Sequence, residues 1–182
     1  MKAIVLSVLA LLPLVAQADE EIVIDAAVAH HRFPHFWEQM FGSGRAILSL
    51  REGYRHDLRE VKQITNFEYV RFHAIFHDEV GLYGEDRRGN AQYNFSYVDE
   101  IYDGLVALGV KPFVEISFMP QQLAARRAVH SFKYHPVVAP PKDYAKWDDL
   151  VTQFAKHLVE RYGIEEVADW YFEVWNEPNL DF

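Results

Sequence analysis

Along this chain the apolar positions switch between two periods, and each switch marks an element. Residues 54–64 place Leu58, Val61 and Ile64 three apart, with charged residues on the other face, which predicts an amphipathic helix. Residues 97–108 repeat the pattern with Ile101, Leu105 and Leu108; Ser96 is the expected cap and Gly109 the stop. The longest stripe follows Asp143, a second expected cap. Leu150, Phe154, Leu158 and Tyr162 fall four apart, Val151 and Ala155 widen the face, and Gly163 ends it.

Between these helices lie segments rich in aromatic and β-branched residues with period two: residues 36–41, 68–73, 110–117 and 170–177. They predict four strands. Gly42, Ser43 and Gly44 are expected to turn the chain out of the first, and Arg45 just beyond reads either as a substrate-facing group or as a loop cation. Residues 84–90 are a polar loop inside a small hairpin. Residues 121–142 form a loop long enough to mark function or mobility. Strand followed by helix, three times over and closed by a fourth strand, predicts one α/β domain with a parallel sheet.

Parity within the strands assigns their faces. In residues 68–73, Val70 and Phe72 share one face and belong under the helices. Arg71 and His73 share the other and point inward. A buried Arg71 requires a carboxylate, and Glu173 is one candidate. In residues 170–177, Glu173, Trp175 and Glu177 point one way; Phe172, Val174 and Asn176 point the other. Pro178 ends the strand, because it cannot extend the pairing. Glu177 therefore stands at the carboxyl end of a strand, next to an indole. A carboxyl group against an aromatic wall loses hydration and suits a general acid; a structural Glu in a sheet reads the same by spacing.

The chain has 182 residues, half of them hydrophobic and 15% aromatic, which is enough for a packed core. Its net charge of −9 and the lack of any basic run argue against nucleic acid and anionic membrane as partners. It has no cysteine, so disulfides and thiolate metal sites are excluded. Residues 1–18 read as a signal peptide: Lys2 is the positive start, residues 4–15 are apolar and too short to span a bilayer, and Ala16-Gln17-Ala18 is a cleavage site. The expected location is secreted or periplasmic. Residues 21–26 read as a short strand within an N-terminal segment, 19–35. The neighbours His30, His31 and His35 lack an acidic or Cys ligand at binding spacing, and read as loop histidines. His73 and His77 are four apart but separated by a strand end, so they do not make a metal pair.

Asn176-Glu177-Pro178 at a strand end after an aromatic run resembles the acid/base signature of retaining glycoside hydrolases with (β/α)8 barrels. Further blocks narrow the resemblance: Tyr69-Val70-Arg71-Phe72-His73, Tyr93-Asn94-Phe95-Ser96-Tyr97, Lys111-Pro112-Phe113-Val114-Glu115, Phe118-Met119-Pro120 and Pro140-Pro141-Lys142-Asp143-Tyr144. Together they resemble glycoside hydrolase family 39, which contains β-xylosidases and α-L-iduronidases, from about Phe36 onward. The resemblance implies a (β/α)8 TIM barrel. A whole barrel takes about 250 residues, so residues 36–182 are expected to be its N-terminal half, ending after about the fourth strand. The strand at 21–26 would belong to an accessory β-sandwich.

By resemblance, the activity is removal of a sugar, xylose foremost, from β-glycosides by double displacement. α-L-Iduronidase-like activity is the alternative within the family, and an inactive sugar-binding remnant the alternative of another class. Glu177 would be the general acid/base, Asn176 would bond the 2-hydroxyl, and His73 would bind a sugar hydroxyl. No metal or cofactor is implied. Strict alternation turns Asn176 away from the site, so its role requires a twist or bulge there. The nucleophile of the resembling family is a Glu on a seventh strand. Glu115 and Glu173 read as deeper, structural carboxylates, so the chain alone is expected to have no turnover. Phe118 reads either as a sugar-stacking wall or as core.

Overall fold

The period-two segments pair side by side because each has a row of backbone groups to satisfy and an apolar face to cover. The computed structural model describes residues 21–25, 27–28 and 34–180. In chain order its elements are β1 (Met40–Arg45), α1 (Glu52–Ile64), β2 (Tyr69–His73), β3 (Tyr83–Glu85), β4 (Ala91–Tyr93), α2 (Ser96–Val106), β5 (Lys111–Glu115), α3 (Tyr144–Tyr162), a single turn α4 (Ile164–Val167) and β6 (Tyr171–Glu173). Two short 3-10 helices, Phe36–Gln39 and Ala46–Leu50, flank β1.

β1, β2, β5 and β6 make one parallel sheet in that order, and β3 pairs with β4 as an antiparallel hairpin. Each parallel strand lies beside its predecessor, so the winding never reverses. A doubly wound sheet turns back at a switch point; this one advances as a (β/α)8 barrel does, with half of the barrel's strands.

The helices cover one face. Val70, Phe72 and Val114 are buried there. Phe72 stacks on Tyr102 of α2, and Phe76, just past β2, meets Phe154 of α3 edge to face at 5.0 Å. Leu150, Phe154 and Leu158 are fully buried, as their four-residue spacing requires. Each such side chain contributes roughly 1.5–3 kcal/mol. Asp143 caps α3: its Oδ1 accepts from the amide of Ala145 at 2.9 Å and from that of Lys146 at 3.4 Å. Gly163 stops the helix at φ 84°, a backbone state that a Cβ resists.

Four local expectations are corrected. Residues 36–39 coil as a 3-10 helix, and the first strand begins at Met40 and runs on through the glycines. The missing Cβ at Gly44 lets the chain take φ 51° within a register shift and keep pairing with β2 instead of turning out. Ser96 is the first residue of α2, not its cap; Asn94 Oδ1 takes both its amide and its hydroxyl. Residues 21–25 are exposed and carry no strand, since no partner strand pairs with them among the described residues. α4 has no counterpart in the sequence reading, because one turn shows no periodicity. Residues 1–18, His30 and His31 lie outside the described residues.

Candidate active site

Parity places Arg71 of β2 on the face away from the helices, and the neighbouring strands supply its partners. Arg71 Nε donates to Glu173 Oε2 at 2.7 Å and Nη2 to Glu173 Oε1 at 3.0 Å, a two-pronged pair reaching from β2 across β5 to β6. Nη2 also donates to Asn176 Oδ1 at 2.9 Å and lies 2.8 Å from Glu115 Oε2. The hydrogen bond to Glu173, then the charge of Glu115, hold the guanidinium still more firmly protonated, and Glu177 lies close enough to add to this. Glu115 is completely buried. Its Oε2 is 2.5 Å from His73 Nδ1, and its Oε1 accepts from the Ser117 hydroxyl. Both oxygens of Glu115 and both of Glu173 are thus engaged.

The strand expected over residues 170–177 forms only from Tyr171 to Glu173. Beyond it the two-residue alternation fails. Asn176 and Glu173, of opposite parity, meet the same guanidinium because the chain bends after Glu173. A guanidinium only donates, so Asn176 must turn its oxygen to Arg71 and its NH2 outward, where it lies 3.4 Å from Glu177 Oε2. Glu177 itself sits at φ 46° in the left-handed region, which costs a non-glycine residue roughly 1–3 kcal/mol and is tolerated mostly at functional positions. Its side chain is exposed at the carboxyl end of the sheet, where barrel enzymes place their chemistry.

Of the pockets on this end, two are lined by the candidate residues. One of about 300 Å³ is lined by Glu177, Trp175, Pro178, Leu180, Arg126, Ala128 and Val138. The other, about 280 Å³, is lined by His73, Gly44, Arg45, Leu48, Phe132 and Tyr134. Phe118 stands between them: its ring is 6.1 Å from His73 and 5.8 Å from Trp175. It is buried, so it backs both walls and is core, not a sugar-facing surface. A larger hollow of about 540 Å³ lies among the helices, but its charges are spent on each other, as in Arg55–Glu100 and Arg161–Asp103.

Arg45 is neither a free loop cation nor a bare substrate contact. It ends β1, pairs with Glu79 at 2.6 Å and lies 4.7 Å over the Tyr134 ring. Burial pushes the Tyr134 hydroxyl up to about 12, so it remains a neutral donor and acceptor. Phe132, Tyr134 and Arg126 had no signal in the sequence. They sit in the long loop, where no period reports which side chains turn inward.

Comparison with known proteins agrees with this geometry. The model of glycosyl hydrolases family 39 matches residues 20–182. A β-xylosidase of Geobacillus stearothermophilus is 44% identical over 152 residues, which are 82% of this chain and 30% of the relative. One from Caldicellulosiruptor saccharolyticus is 41% identical over 145 residues, 80% of this chain and 30% of the relative. The crystal structure of a monomeric β-xylosidase from Caulobacter crescentus CB15 superposes with a TM-score of 0.75 at 39% identity, over 79% of this chain and 29% of that one. The chain thus spans about 30% of the length of the curated relatives it matches.

Proposed function

This chain belongs to glycosyl hydrolase family 39, and on that premise we propose that it carries the acid/base half of a retaining β-xylosidase site. The substrates are β-xylosides and xylo-oligosaccharides. The observation that carries the reading is Glu177: an exposed carboxylate at the carboxyl end of the sheet, sharing a pocket with Trp175 and following an Asn176 whose amide is aimed by Arg71.

In double displacement, Glu177 gives its proton to the leaving glycosidic oxygen as a carboxylate nucleophile takes the anomeric carbon. It then removes a proton from the water that releases the sugar. Asn176 Nδ2 holds the 2-hydroxyl, and His73 a further hydroxyl. The nucleophile is neither Glu115 nor Glu173, whose oxygens are all engaged by Arg71, His73 and Ser117. It comes from another strand of the barrel, so the 182-residue chain alone turns nothing over. We also read the enzyme as exported, with its leader removed after about Ala18.

The test is a panel of nitrophenyl glycosides, iduronides included, on the full-length protein that carries this chain, repeated with Glu177→Ala. Loss of the proton donor lowers turnover by about 10²–10⁴-fold on poor leaving groups, and by much less on activated ones, and azide restores it. Equal loss on every substrate without rescue overturns the assignment. Turnover of iduronides in place of xylosides moves the glycone but leaves Glu177 its role.

A further inference from the structure

We propose that Arg126 is a specificity-determining residue on the leaving-group side of the cleft, where it binds a carboxylate carried by the leaving sugar, such as a uronic acid substituent. The proposal rests on the reading of Glu177 as the acid/base.

Charge is unevenly spread along the chain. Residues 121–142 contain Arg126, Arg127, Lys133 and Lys142, and all 27 of the chain's Asp and Glu lie outside them. An acidic chain as a whole repels an anion; this loop, at the carboxyl end of the sheet, attracts one. Lys142 is tied to Glu85 at 3.1 Å. Arg126, Arg127 and Lys133 are exposed and make no ion pair among the described residues.

The loop has a fixed backbone. Its two arms run back along each other: the Ala125 amide donates to the Pro140 carbonyl at 2.9 Å, that of Val138 to the Ala128 carbonyl at 2.8 Å, and that of His130 to the Pro136 carbonyl at 2.9 Å. Leu123, Val137 and Ala139 are buried beneath them. Arg126 stands between the first two of these bonds, so its backbone is held while its guanidinium stays open to solvent.

Position gives that charge its use. Glu177 protonates the glycosidic oxygen, so the group attached to that oxygen begins beside the acid. Asn176 and His73 hold the glycone. Arg126 instead shares the pocket of about 300 Å³ with Glu177 and Trp175, and the Phe118 ring stands between this pocket and that of His73. A guanidinium fork matches a planar carboxylate, and a neutral sugar offers it no charge to meet.

The test uses the full-length protein, in which the remaining strands of the barrel are present, and two disaccharides: xylobiose with and without a uronic acid on its leaving residue. Arg126→Ala should lose about fivefold in kcat/KM on the acidic substrate, the effect of one well-placed exposed ion pair, and change little on the neutral one. Arg126→Lys should keep part of the difference, Arg126→Glu should lose more, and high salt should shrink it. Arg127→Ala and Lys133→Ala, which remove a charge from the same loop outside this pocket's lining, should cost less. Arg126 is exposed, so these variants should fold as wild type does. An equal change on both substrates, or no change on either, overturns the proposal; the second result is expected if a carboxylate on another strand claims Arg126.

Calorimetric titration of Glu177→Gln with the same pair reads the preference without turnover. Adding Arg126→Ala should weaken binding of the acidic disaccharide alone, and unaltered binding counts against the assignment. The two readings fail separately. If Glu177 is not the acid/base, azide fails to rescue Glu177→Ala while the charge discrimination persists in the titration. If Arg126 binds no carboxylate, rescue stands and the discrimination vanishes.

Discussion

Arg71 and Glu173 are 102 positions apart in sequence and meet fork to fork, with N···O distances of 2.7 and 3.0 Å. The pair joins β2 to β6 over the intervening β5, on the face of the sheet away from the helices. The same guanidinium orients Asn176 and neutralises Glu115. The scaffold of the site and its aim are therefore one network.

Removing Arg71 should cost more than any surface charge. Arg71→Met strands the buried carboxylate of Glu115 and frees Glu173, and should lower unfolding stability in urea by about 3–5 kcal/mol. Arg71→Lys should recover only part of this, because a single ammonium cannot reproduce the fork.

Asn176→Ala should reduce turnover through the transition state. Hydrogen bonds to the 2-hydroxyl strengthen as the oxocarbenium ion develops, and supply several kcal/mol. On a xyloside the variant should lose about 100-fold or more in kcat/KM at that strength. On the matched 2-deoxy substrate, wild type and variant should converge. A loss of the same size on both would leave Asn176 a purely structural amide.

Acid should unlock the hairpin from α3. Hydrogen bonding to Lys146, then to Tyr83 and Lys142, holds the Glu85 carboxyl down at about 2, against 4.5 for a free side chain. A depressed carboxylate contributes its stability in full above the unfolded value, and loses it as pH falls from about 4.5 toward 2. Lys146→Ala should therefore be less stable than wild type at pH 7 by about 1.5–3 kcal/mol. The gap should close over that acid window, as thermal unfolding against pH will show.

Phe154→Ala opens a cavity where the ring meets Phe76 edge to face. The ring is fully buried, so the cost should be about 3–5 kcal/mol, with Phe154→Leu milder. A urea midpoint that hardly moves would mean that α3 is not packed on the sheet as described.

The helical stripes, the Asp143 cap, the Gly163 stop and the inward parity of Arg71 and His73 were legible in the chain itself, except that Ile64, expected on the stripe of α1, is the last residue of that helix and stands exposed. So were the hairpin and the parallel α/β order, because each depends on local spacing and on one buried face per element. That Glu177 stands beyond the carboxyl end of the last strand was legible from Pro178 after it. What parity misjudged was the end of β6. It carried the alternation to Pro178, whereas the chain bends at Glu173 to bring Asn176 to Arg71.

The sequence by itself determined which residues face inward, since side-chain direction along a strand or helix is set by backbone geometry a few residues long. Only the tertiary structure decided which inward groups meet. It joined Arg71 to Glu173, Asn176 and Glu115, engaged the oxygens that would otherwise have made Glu115 and Glu173 rival nucleophiles, and brought Phe132 and Tyr134 to His73. Those contacts span tens of residues, and depend on which strands lie side by side and on the path of an irregular loop, neither of which leaves a period in the chain.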